Sequence, residues 1–181
     1  MPGERVLLIV NVHARQGDAQ RAAARDLLEA RGFAVLDRSD AAARDIPDVI
    51  RQHAGAVDLI VLGGGDGTLN RSVEAVLEAG LPLGILPMGT ANDLARTLGL
   101  PVALEAACDV IAGACQRRID LGRVNGKYFF NVASMGMSVE IARSLTKDVK
   151  RRWGVLGYCV PALDRYRATR PFRAEIEADG R

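Results

Sequence analysis

Two short stretches of this chain carry residue types suited to chemistry rather than to packing. The first is Gly63-Gly64-Gly65-Asp66-Gly67-Thr68-Leu69-Asn70, four glycines around one aspartate. Glycine tolerates positive φ and lets a ligand approach the backbone closely, so the cluster is expected to face a ligand and not a core. A helix beginning near Thr68 would present free N–H groups and a positive dipole end, a seat for phosphate. A carboxylate beside phosphate is repelled unless it holds Mg²⁺, directly or through water, or braces the loop by accepting backbone hydrogen bonds. Asp66 is therefore the candidate metal residue. The plainer alternative is a tight turn with Asp66 or Thr68 as helix cap, although a plain turn needs one or two glycines rather than four.

The second stretch, residues 87–96, reads PMGTANDLAR. Thr90 and Asp93 fit a capping box, which leaves Gly89 and Asn92 unexplained. Two glycine-bearing loops at neighbouring strand ends can form the two sides of one nucleotide cleft. Asn11, in a third polar element after the first apolar run, could join the same edge or belong to an ordinary loop. Two common phosphate motifs are excluded. Thr68-Leu69 stands where a P-loop needs Lys-Ser/Thr, and Asn70 takes the place of the dinucleotide pattern's third glycine.

The elements around these loops alternate. Apolar runs at 6–10, 33–36, 57–62 and 83–86 read as strands, the first being the continuous kind that is covered on both faces. Helices are expected over 18–31, 40–53, 68–79, 91–98 and 102–115, with Gly32 and Gly80 as stops and Pro47 marking a kink or a late start. This order predicts an α/β fold with a parallel sheet and helices on both faces, and binding sites at the carboxyl ends of its strands. From 117 the pattern changes to a hairpin, 117–124 and 127–133 around Asn125-Gly126. A further strand at 172–178 runs into Asp179-Gly180. We expect domains at 1–120 and 121–181, the second being the start of a β-rich domain that the chain does not complete.

The 181 residues suffice for one good core, and aromatics at 4% leave it to Ala, Val, Leu and Ile. Residues 1–120 hold 12 Lys+Arg against 16 Asp+Glu, while 121–181 hold 12 against 6. The later basic residues, Lys147 to Arg173 around Trp153, suit an anionic membrane surface or a solvated face. They lack the interleaved stacking aromatics of a nucleic-acid binder, so no nucleic-acid partner is expected. Cys108, Cys115 and Cys159 have no disulfide or metal spacing and read as small buried residues in a reducing compartment. No run reaches membrane-helix length and no leader is evident. The expected location is cytoplasmic, peripheral to the membrane if the basic stretch binds lipid.

Together these residues resemble the diacylglycerol kinase catalytic family, which includes bacterial lipid kinases and sphingosine kinases. Gly64 to Thr68 matches its GGDGT loop, continued by Leu69-Asn70, and PMGTANDLAR matches its second motif. Asn11 fits an N-P-x-S/A-G element. Asp120-Leu121-Gly122 and residues 131–136 (NVASMG) resemble the crossing into a second domain. The resemblance implies an NAD kinase/phosphofructokinase-like nucleotide domain followed by a β-sandwich domain, with ATP as donor, Mg²⁺ as cofactor and a lipid alcohol such as diacylglycerol as acceptor. It implies nucleotide contacts from Gly64, Gly65, Asp66, Gly67, Thr68, Leu69, Asn70, Gly89, Thr90, Asn92 and Asp93, with Asn11 and Ser39 nearby. Val12, Arg15 and Arg71 depart from the pattern. The family's general base belongs to a later D-G-E element, expected beyond Arg181, so no residue of this chain is assigned that role and slow lipid turnover is expected. GGDGT also occurs in NAD kinases, so an NAD kinase-like enzyme and a non-catalytic nucleotide-binding module remain as alternatives. The lipid and the oligomeric state, a homodimer included, are left open.

Overall fold

A computed structural model of the chain describes residues 3–11, 17–42 and 44–132. The expected basic stretch at 147–173, the strand at 172–178, the Asp179-Gly180 turn, Cys159 and the departures at Val12 and Arg15 lie outside the described residues.

Four strands, β1 (Arg5–Val10), β2 (Ala34–Asp37), β3 (Leu59–Gly64) and β4 (Leu83–Pro87), form one parallel sheet in the order β2-β1-β3-β4. The runs VLLIV and LIVL form strands because both of their faces are covered. Leu7, Ile9, Ile60 and Leu62 enter one apolar layer with Ile46, Ile50, Leu69 and Val73. Val6, Leu8, Val10 and Val61 enter the other with Ala24, Leu28, Ala107 and Cys108. The first layer packs under α2 (Ile46–His53) and α3 (Asp66–Ala79), the second under α1 (Gly17–Ala30) and α5 (Leu104–Ala112). Each fully buried Leu or Ile contributes about 1.5–3 kcal/mol, so two continuous layers dominate the stability of this α/β fold.

The local signals set most element ends. Gly32 and Gly80 take φ of +89° and +65° after α1 and α3, the left-handed stop that favours glycine. Pro47 produces a late start: α2 begins at Ile46 with the proline in its first turn, where the missing N–H costs nothing. The expected helix over 40–53 is shortened accordingly, those over 91–98 and 102–115 shrink to α4 (Asp93–Thr97) and α5, and β2 lies one residue later than read. At the sheet's rim, Arg5 donates from its side chain and main-chain N–H to Asp58, and the guanidinium holds the Asp58 carboxyl down to about 2.

A separate antiparallel pair, β5 (Gly122–Val124) and β6 (Lys127–Phe129), turns at Asn125-Gly126 with φ of +48° and +81°, as the Asn-Gly signal requires. Its arms are shorter than expected, and residues 117–121 carry no strand. Leu121, Tyr128 and buried Phe130 pack on the α2/α3 layer, and the first compact unit runs to Val132. Of the cysteines, Cys108 is buried between α1 and α5, which pushes its thiol pKa up, but Cys115 lies past the end of α5 and is exposed, contrary to expectation. No helix among the described residues is long and apolar enough to cross a membrane.

Candidate functional site

In the strand order β2-β1-β3-β4 the chain runs outward one way from β1 to β2 and the other way from β3 to β4. The reversal lies between β1 and β3, the place where open α/β sheets bind ligands at their carboxyl ends. Asn11 leaves β1 there, and Gly65-Asp66-Gly67 leaves β3. The main-chain N–H of Asn11 donates to Gly63 O at 2.8 Å, and its side-chain Nδ2 donates to Thr68 Oγ1 at 2.9 Å. Asn11 thus joins the two strand ends directly.

The second loop meets the first backbone to backbone. A Cβ on Gly89 would collide with Gly65 Cα, and one on Gly65 would lie 3.0 Å from Gly89 Cα. Asn92 shapes this loop from a left-handed conformation, φ +51°, that asparagine tolerates. Its Oδ1 accepts from Gly89 N–H at 2.8 Å and its Nδ2 donates to Gly89 O at 3.0 Å. Thr90 is left exposed at the tip. Asp66 Oδ1 crosses to accept the N–H of Leu94 at 3.0 Å, in the first turn of α4.

These contacts revise several expectations. The four glycines do not all face a ligand: β3 continues through Gly63 and Gly64, and a Cβ at Gly63 would meet Met88 Sδ and Val10, while one at Gly64 would meet Thr68. Among them, only Gly67 would place a Cβ in open space. None of the four has positive φ, so close approach is the reason for glycine at Gly63, Gly64 and Gly65, and nothing within the fold requires it at Gly67. The Thr90–Asp93 capping box does not form, because Asn92 is the N-cap of α4 and the helix takes its acceptor from Asp66. Nor do Asp66 and Thr68 cap α3, whose N-cap is Gly65 without a side-chain bond.

The first N–H groups of α3, at Asp66 and Gly67, have no intrahelical partner, whereas those of Thr68 and Leu69 turn back to Gly65 O. Leu69 points into the core, and Asp93 is exposed at the start of α4. Asn70 Oδ1 accepts from the N–H of Phe130 at 2.8 Å. Ser39 is wholly buried: its Oγ accepts from Val10 N–H at 2.9 Å and donates to Asp37 Oδ1 at 2.6 Å. Burial raises the Asp37 pKa, but hydrogen bonds from Ser39 and Arg21 outweigh it and hold the carboxyl below its ordinary range. Ser39 therefore extends the β1 ladder where β2 ends, and its hydroxyl is spent inside the fold.

Oδ2 of Asp66 has no hydrogen-bond partner among the described residues, and no cluster of three or more His, Cys, Asp or Glu side chains arranged for a metal occurs among them. Mg²⁺ is commonly bound by one or two carboxylates with substrate phosphates completing its shell. One hard oxygen beside unpaired helix N–H groups fits that mode.

A family model for the diacylglycerol kinase catalytic domain matches residues 5–124, two thirds of the chain. The chain belongs to the diacylglycerol kinase catalytic-domain family. Among curated members, it is 42% identical over 128 residues to a diacylglycerol kinase of Bacillus subtilis, covering 68% of this chain and 42% of that protein. It is 36% identical over 170 residues to a probable YegS-like lipid kinase of Pseudomonas aeruginosa, covering 92% of this chain and 55% of the relative. A crystal structure of a diacylglycerol kinase from Bacillus anthracis superposes with a TM-score of 0.65 at 32% identity, over 82% of this chain and 53% of that one. The chain spans about half the length of these family members. Its parallel-sheet domain is thus the NAD kinase-like fold of that family.

Proposed function

We propose that this chain forms the nucleotide-binding part of a lipid kinase that transfers the γ-phosphate of ATP to the hydroxyl of a lipid alcohol such as diacylglycerol. One observation carries the reading. Two glycine loops, after the neighbouring parallel strands β3 and β4, touch backbone to backbone next to the switch point, beside N–H groups of a 14-residue helix that have no intrahelical partner and a carboxylate oxygen. Phosphoryl transfer depends on positioning and charge neutralisation more than on covalent help from the protein.

In this reading the N–H groups of Asp66 and Gly67 hold phosphate oxygens, and the bare Cα of Gly67 lets the phosphate reach them. Asn11 and Asn92 keep the two loops in place through the hydrogen bonds already described. Mg²⁺ when bound would be held by Asp66 through Oδ2 and would neutralise charge on the transferring phosphate. Oδ1 accepts from Leu94 N–H, which orients the carboxylate and leaves Oδ2 for the ion.

Saturation-transfer NMR on the purified chain with Mg·ATP, NAD and dioctanoylglycerol tests the proposal, alongside transfer of labelled γ-phosphate to each alcohol. Saturation reaching Mg·ATP and dioctanoylglycerol, with label entering the lipid alone and only slowly, is the expected result. Saturation or label in NAD and none in the lipid would move the assignment to an NAD kinase-like enzyme. No response to Mg·ATP would remove the nucleotide site.

A further inference from the structure

We propose that Asn70 is a positioning residue for the acceptor side of the site, and not a nucleotide contact; the inference rests on the lipid kinase reading above. Asn70 stands four residues after Asp66 on α3, so both side chains lie on the same helix face. Its carbonyl oxygen is engaged by the N–H of Phe130, 60 residues further on in the chain. Phe130 is only 7% exposed and packs in the layer that holds Leu69 and Val73. Directly after it the chain reverses: Asn131 takes φ +61°, and Val132 N–H donates to Phe130 O at 2.8 Å. Asn131 Nδ2 also reaches Thr97 Oγ1 on α4 at 3.5 Å. The turn at 130–132 is thereby tied to both helices that follow the glycine loops.

That turn forms one wall of a small pocket whose other wall carries Asp66 and Asp93. Phe130, Val132 and Leu94 make much of the lining apolar, and Val132 is 68% exposed at the mouth. The apolar lining from Leu94, Phe130 and Val132 suits an uncharged alcohol with apolar chains, brought beside the phosphate whose charge Mg²⁺ on Asp66 would neutralise. Asn70 holds the wall at a fixed separation from Asp66 because it binds the main chain of Phe130 rather than a mobile side chain. Its contribution is thus to the acceptor, while the phosphate loop one turn earlier keeps its own hydrogen bonds.

The test uses the chain with two probes, Mg·ADP by calorimetry and dioctanoylglycerol by NMR shifts of the Val132 methyls and Phe130 amide. Asn70→Ala should weaken dioctanoylglycerol about ten-fold while Mg·ADP affinity stays within about two-fold, and it should speed amide hydrogen exchange at Phe130. Asn70→Asp keeps the accepting oxygen and should restore both readouts, which a general loss of packing would not allow. Val132→Ser leaves the fold and the Asn70 bond alone and should weaken the lipid probe only. Equal losses of both ligands in Asn70→Ala would make Asn70 a nucleotide contact and overturn the proposal, as would Asn70→Asp behaving like Asn70→Ala. Mg·ADP binding without any lipid-induced shift at Val132 would also overturn it while leaving the nucleotide site standing. Failure of wild-type chain to bind Mg·ADP would instead defeat the kinase reading itself.

Discussion

Replacing Gly67 with alanine separates what the fold needs from what the ligand needs. Gly67 is exposed, has no positive φ, and would carry a Cβ with nothing within 4 Å. It sits in the first turn of α3, where alanine loses less backbone entropy on folding, a gain of about 0.5–1 kcal/mol. For a chain of this size that gain raises Tm by roughly 1–4 °C. The same methyl group stands over the N–H that is proposed to meet a phosphate oxygen. Losing one charge-assisted hydrogen bond costs about 1.5–3 kcal/mol, or roughly 10- to 150-fold in Kd for Mg·ADP. Thermal denaturation without ligand and calorimetric titration with Mg·ADP read the two effects on one sample. A variant that is more stable and still binds Mg·ADP as wild type does would refute phosphate contact at Gly67. A less stable variant would contradict the open space that the structure places there.

Two further outcomes follow from named contacts. Asp66→Asn keeps an oxygen for Leu94 N–H, so its urea midpoint should stay close to wild type while Mg²⁺-dependent gain in nucleotide affinity disappears; Asp66→Ala should also lose about 1–3 kcal/mol of stability by leaving that N–H unpaired. Asp58 titrates at about 2 in the folded chain against an ordinary value of 3.8. A carboxyl lowered on folding stabilises above its unfolded pKa, and the contribution is lost as pH falls through the folded value. Acid denaturation followed by circular dichroism should therefore show stability falling between about pH 4 and 2, with a shallower slope in Asp58→Asn; an unchanged slope would contradict the Arg5–Asp58 pairing.

Much of the α/β frame was legible because parallel strands buried on both faces leave continuous apolar runs, as at 6–10 and 57–62, and because Gly32 and Gly80 stop helices in the left-handed conformation their residue type favours. Asn125-Gly126 was legible for the same reason. Local reading failed where the deciding partner is remote. Gly63 and Gly64 continue a strand because Met88, Val10 and Thr68 fill the space of their missing side chains, and only the three-dimensional neighbourhood reveals that. The Thr90–Asp93 spacing looked like a cap, yet Asp66, 28 residues away from Leu94, supplies the acceptor. Ser39 was expected near the nucleotide from resemblance; it lies beside Val10 at the end of β1, and the bonds of its hydroxyl to Val10 and Asp37 are a use that no local spacing encodes. Asn70 was legible as part of a motif, but its engagement with Phe130 depends on a chain reversal 60 residues later.

A Mg·ADP titration followed by amide shifts tests the shared pocket most directly. Saturable shifts are expected at Gly65, Gly67, Gly89 and Thr90 with one common Kd, all abolished together when Mg²⁺ and nucleotide are removed. Shifts confined to one of the two loops, or none at either, would contradict a shared pocket.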